Sequence, residues 1–125
     1  MDSKQSRANK RKGADWETDL VDYFRDEEFN PVERLRLSGT SDEGDLWLWA
    51  PDIQSFIVVE AKNEKSFKLG PWIEEASKEV KNWMKKRKSS PAIPVVIAKR
   101  RQHGVGKSFV IMELDTFVEV IRWKQ

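Results

Sequence analysis

At 125 residues, with 38% hydrophobic and 35% charged side chains, the chain has material for one hydrophobic core and too little for two. Its apolar runs, such as Phe56 to Val59 and Ile93 to Ala98, are strand-sized and far short of the roughly 20 residues a membrane span needs; no signal-peptide pattern is seen, and the absence of cysteine excludes disulfides, thiolate nucleophiles and Cys-type zinc sites and makes a reducing cytoplasm the expected setting. The formal net charge is only +2, but basic and acidic residues are sorted into separate clusters, as on a protein that binds a polyanion beside a carboxylate site.

Residues 1–12 carry Lys4, Arg7, Lys10, Arg11 and Lys12 and no apolar periodicity, so a flexible basic arm is expected there, with the folded domain over 13–125. From Gly13 onward Trp16, Leu20, Val21 and Phe24 recur at helical spacing, predicting an amphipathic helix that ends before Asn30-Pro31. Strands are expected at Val32 to Ser38, Asp45 to Ala50 and Ser55 to Ala61, the last two joined as an antiparallel hairpin across Pro51-Asp52. Lys62 to Gly70 reads as a basic loop containing Lys65 and Lys68. A second helix follows from Pro71 to Lys88, with Trp72, Ile73, Ala76, Val80 and Trp83 on one stripe. Ile93 to Lys99 has the continuous apolar pattern of a strand buried on both faces. After the basic Lys99-Arg100-Arg101 and a glycine loop come a strand at Lys107 to Met112 and a helix at Asp115 to Ile121. The order αβββαββα describes an α/β fold, a mixed sheet flanked by helices.

Chemistry concentrates in GDLWLWAPDIQSFIVVEAK, residues 44 to 62. Strand alternation puts Val58, Glu60 and Lys62 on one face and Ile57, Val59 and Ala61 on the other. Charges at the end of an apolar strand cost free energy unless they are paired or bind a metal. E-x-K alone is frequent by chance, and a surface ion pair is its plain alternative. Asp45, at the start of the partner strand, can point to the same place. Two carboxylates with a backbone carbonyl such as that of Ala61 suit Mg²⁺, which takes oxygen ligands. Lys62 would then orient or deprotonate an attacking water, or offset charge on a phosphate. Glu17 lies within ~60° of the Leu20, Val21 and Phe24 stripe, so its carboxylate is expected beside the core and near those of Asp45 and Glu60.

Three pieces, KGADWETDL (Lys12 to Leu20), SGTSDEGDL (Ser38 to Leu46) and VVEAK (Val58 to Lys62), resemble the archaeal-type Holliday junction resolvases and their bacteriophage relatives, a branch of the PD-(D/E)XK nucleases. The resemblance covers most of the chain from Lys12 onward. It implies a restriction-endonuclease-like αβββαβ core, with Glu17, Asp45, Glu60 and Lys62 as catalytic and metal-binding residues. It also implies a serine before the aspartate, Ser41 by spacing or Ser38, and Mg²⁺ as cofactor with Mn²⁺ as a substitute. Gly44 stands where the family has proline. The family's activity would be Mg²⁺-dependent cutting of four-way DNA junctions by a homodimer in the cytoplasm, of a phage host if the chain is phage-encoded. Lys10, Arg11, Lys12, Arg36, Ser38, Ser41, and then Lys65, Lys68, Arg100 and Arg101, are the expected DNA contacts. Alternatives are a nuclease of the same chemistry on duplex, flap or restriction-like DNA, a non-catalytic DNA-binding module, or an RNA-directed protein, for which no aromatic platform motif is found.

Gly104 to Ser108 imitates a phosphate-binding loop but has Arg101 where that motif needs glycine. His103, the single histidine, reads as an exposed loop residue. Trp16, Trp72 and Trp83 follow the helix stripes and belong in the core or an interface. Trp47 and Trp49 place two indoles on one strand face, which a dimer interface would cover.

Overall fold

The computed structural model describes residues 3–35, 42–88 and 90–122, with side chains from residue 11 onward. Eight elements follow in the order α1 (Ser3–Asp26), β1 (Val32–Arg34), β2 (Leu46–Ala50), β3 (Ser55–Lys62), α2 (Leu69–Lys86), β4 (Ala92–Ala98), β5 (Phe109–Ile111) and α3 (Leu114–Ile121). The strands form one mixed sheet, β1-β2-β3-β4-β5. Only β3 and β4 run parallel, joined by α2, while the other neighbours are antiparallel. The expected α/β class and element order are therefore present.

The two main helices cover opposite faces of the sheet. On one, Trp16, Leu20 and Val21 of α1 pack against Val32, Leu46, Leu48, Val59, Ile93, Val95 and Ile97. The Trp16 indole N–H donates to the Ile97 carbonyl at 3.3 Å, so this buried indole keeps a polar partner. On the other face, α2 buries Trp72 and Ala76 against Val96 and Ala98, and Val80 and Trp83 against Val58. Alternation along β3 and β4 supplies both layers, which is why β4 reads as an unbroken apolar run.

Two expectations are corrected. The backbone is helical from Ser3, ten residues before the expected start at Gly13. Residues 4–12 lack an apolar stripe, but they contain no proline, glycine or β-branched residue and several strong helix formers, so nothing in them stops a helix that α1 has already nucleated. The indoles of Trp47 and Trp49 are not an open face: Trp47 packs on Trp83 of α2 and, with Trp49, on Phe56. Arg36, Ser38 and Ser41 lie outside the described residues, as does the side chain of Lys10. Among the described residues no helix is long and apolar enough to cross a membrane.

Candidate active site and metal centre

Asp45 is presented by a tight entry into β2. Gly44 has φ of 97°, and a Cβ there would come within 2.9 Å of Val58 Cγ1 and 3.3 Å of the Val59 carbonyl. Only glycine combines that conformation with so close an approach, which accounts for Gly44 before the aspartate. Leu46 is the partner of Val59, yet the Asp45 N–H also donates to the Val59 carbonyl at 2.9 Å. Two residues of one strand thus oppose one of the other, the arrangement of a β-bulge, a device that re-aims a side chain. Asp45 Oδ2 accepts the Ala61 N–H at 2.8 Å. Since N–H and C=O of one strand residue leave by the same edge, the Ala61 carbonyl is directed to the Asp45 side.

The preceding turn is tied to α2. Glu43, buried, is clamped by Lys86 at 2.9 Å and by Arg87, and Arg87 stacks on the Trp83 ring. Burial pushes the Glu43 carboxyl up, but the hydrogen bonds and charges of Arg87 and Lys86 outweigh it and hold the group below its ordinary value. Asn82 donates to the Asp42 carbonyl at 2.8 Å.

At the end of β3, Glu60 and Lys62 point toward α2, as alternation predicts. Glu60 is only 6% exposed, and its Oε2 has no hydrogen-bond partner. Lys62 Nζ lies 3.7 Å from Glu60 Oε1 and 2.8 Å from Glu75 Oε1 of α2. Facing Glu60 from the helix is Glu79, 3% exposed, with neither carboxylate oxygen partnered. Two ionised carboxylates can only accept, so each leaves the other unsatisfied unless a proton or a cation lies between them.

Burial, then the charge of Glu60, drives the Asp45 carboxyl up to about 9. Burial, then the adjoining Glu79, drives Glu60 to about 9. Glu79 rises to about 8, chiefly through burial, with Asp42 adding to it. Burial works against the Lys62 ammonium, yet the hydrogen bond to Glu75 and the charge of Glu60 prevail and raise its pKa. Such crowding is what a divalent cation reverses.

Glu17 sits on α1 with its carboxylate 3.1 Å from Arg34 of β1. Its charge adds to those raising Asp45, while its direct partner is the arginine. A cleft of about 670 Å³ opens beside the end of β3, lined by Lys12, Gly13, Ala61, Lys62, Lys65, Lys68 and Arg101 among others. Four expected DNA contacts therefore share one concavity with Lys62. Arg101 is steadied by Asn63. Arg11 is exposed outside the cleft lining, and Arg100 lies over the Phe109 ring. His103 is exposed, as expected.

The fold is similar to that of Archaeoglobus fulgidus Hjc, a Holliday junction resolvase from an archaeal hyperthermophile. The match has a TM-score of 0.49 at 16% sequence identity and covers 85% of this chain and 92% of that one. No protein-family model and no curated protein matches the chain.

The residues missed by sequence reasoning are the carboxylates of α2. Glu79 falls at i+3 from Ala76 and i−4 from Trp83, on the buried stripe itself. A carboxylate on an apolar stripe was the available signal.

Proposed function

We propose that the chain is a divalent-metal-dependent endodeoxyribonuclease of the PD-(D/E)XK type, acting on branched DNA as a junction resolvase. The observation that carries this reading is the meeting of Asp45, Glu60 and Lys62 at the end of β3, beside a cleft lined with lysine and arginine. The donor set fits a hard cation: Asp45 and Glu60 carboxylates with the Ala61 carbonyl are oxygen ligands, and Glu60 Oε2 is buried without a partner. Asp45, Glu60 and Ala61 would hold Mg²⁺, with Mn²⁺ as a substitute, and the bound ion would polarise the phosphate and lower the pKa of an attacking water.

Lys12, Lys65, Lys68 and Arg101 would seat the DNA phosphates by charge. Arg11 and Arg100 are proposed DNA contacts beside that cleft; Lys10, Arg36, Ser38 and Ser41 are proposed as contacts from the sequence alone. Lys62, whose charged form is favoured by Glu75 and Glu60, suits charge stabilisation on the phosphate better than proton abstraction. Glu17 would act through its charge on Asp45. Water would attack phosphorus as the opposite phosphodiester P–O bond breaks, its proton passing to solvent and the leaving oxygen taking one up from solvent, which leaves a phosphomonoester end and a hydroxyl end.

A synthetic four-way junction and a matched duplex, each incubated with and without Mg²⁺, test the reading. Mg²⁺-dependent cleavage of the junction in preference to the duplex is expected; intact DNA under all four conditions overturns it. In a junction-binding titration over several salt concentrations without Mg²⁺, Lys65→Ala with Lys68→Ala should weaken binding and flatten its salt dependence.

Two symmetric cuts call for a two-fold dimer. The edge strand β5 and the helix α3 supply a surface for it: Phe109 and Val110 are exposed, as are Leu114 (74%), Phe117 and Ile121 (63%), spaced along one face of α3. Sedimentation equilibrium should return a dimer for the native chain and a monomer for Leu114→Asp with Phe117→Asp. A native monomer at micromolar concentration rejects the assembly.

A further inference from the structure

Beyond the Asp45–Glu60 pair, the acidic residues continue into a second group. Asp42, Glu75 and Glu79 each bring a carboxylate oxygen within 4.8 Å of the others. Their placement is not that of loose surface acids. Glu75 and Glu79 are one turn apart on α2, and Asn82, on the same stripe, fixes the Asp42 backbone by its side-chain amide. Asp42 Oδ1 accepts the Gly44 N–H at 2.9 Å, which orients the carboxylate. Below them the Glu43 clamp to Lys86 and Arg87 prevents the turn from swinging away.

The positive charge available is too small for this group. Among the described residues Lys62 is the one cation at the site, and it is engaged by Glu60 and Glu75. Lys86 and Arg87 are committed to Glu43. Asp42 and Glu79 have no basic partner among the described residues, and Glu79 keeps both oxygens unsatisfied while 3% exposed. A further observation comes from outside the trio: Glu60 of β3, nine-tenths buried, faces Glu79 with its Oε2 also unpartnered. Buried carboxylate oxygens converging from a strand and a helix, open to solvent through the exposed Asp42 and Glu75, are satisfied only by protons or by a hard cation held between them, and the cation is the one of the two that counts as a ligand.

We infer that Asp42, Glu75 and Glu79, with Glu60 shared between two sites, form a second divalent-cation site in this chain, separate from the one built on Asp45. The ligands are oxygens throughout, so the class of ion is Mg²⁺, Mn²⁺ or Ca²⁺. An ion there draws Glu75 toward itself and loosens its hold on Lys62, which leaves Lys62 to Glu60 and to whatever enters the cleft. The site is made of the chain's own carboxylates and stands whether or not the substrate is DNA.

The test counts Mn²⁺ alone on the full chain, by the electron paramagnetic resonance of free Mn²⁺ during titration, without nucleic acid. The native chain should bind two ions. Asp42→Asn and Glu79→Gln should each weaken one of them at least about tenfold and leave the other, and Asp45→Asn should weaken the complementary one. Asp42 is exposed, so its variant folds and keeps the measurement decisive even if a change at the buried Glu79 does not. A single ion that Asp45→Asn removes and Asp42→Asn leaves, no bound ion, or two ions retained by both second-site variants overturns the inference. Two ions bound by a chain that leaves junction DNA intact defeats the nuclease reading and leaves this site standing.

Discussion

Glu60→Gln and Asp45→Asn are each expected to reduce Mg²⁺-dependent junction cleavage by on the order of 10²-fold or more, because each removes a negative ligand from the ion that stabilises charge in the transition state. Neither change removes packing volume, and both relieve repulsion between carboxylates whose pKa values stand near 9. Melting temperature in EDTA should therefore stay level or rise while turnover collapses, the trade between activity and stability seen where a site is built of like charges. Single-turnover cleavage beside thermal unfolding of the same preparations checks both halves. A variant that cuts at near-native rate removes its residue from the mechanism; a variant that loses activity only in proportion to lost fold assigns the residue to structure. Lys62→Ala should lose cleavage while keeping more metal affinity, since its ammonium is not a ligand.

The same carboxylates set how stability follows pH. Asp45 and Glu60 rise from ordinary values of 3.8 and 4.5 to about 9, and Glu79 from 4.5 to about 8. A folded-state pKa raised above the unfolded one means that the native state binds more protons across the interval, so stability falls as pH increases. That contribution is complete below about 4 and is lost as pH climbs through 8 to 9. The melting temperature of the cation-free chain should decline from pH 5 to pH 9. Mg²⁺ favours the ionised carboxylates, so the rise in melting temperature it causes should be small at pH 5 and grow toward pH 9. Glu43 acts at the other end, since its pKa is lowered from 4.5: its contribution is present above that value and disappears as pH falls below it. Thermal scans at several pH values in EDTA and in Mg²⁺ decide the matter. A melting temperature flat from pH 5 to pH 9, with no Mg²⁺ effect at either end, would falsify the buried-carboxylate account.

What lies within one element or one tight hairpin was legible in the residues alone. Period two in Val58-Val59-Glu60-Ala61-Lys62 assigned the face of each side chain, and the short connection at Pro51-Asp52 brought Asp45 to the same end of the sheet as Glu60. Period 3.6 identified Trp16, Leu20 and Val21 on α1 and Trp72, Ala76, Val80 and Trp83 on α2 as core. These follow from backbone geometry, which repeats identically wherever the pattern occurs. Which faces meet came instead from the packing of the elements on one another. Lys62 finds Glu75, Glu17 finds Arg34, and Glu43 finds Lys86 and Arg87 across up to 44 positions of sequence. No local periodicity encodes such pairings, because they depend on how two helices are laid over one sheet. The carboxylate of Glu79 shows the difference most directly: its position on the apolar stripe could be read from spacing, but only the packing of α2 over β3 turned a misplaced charge into part of a site.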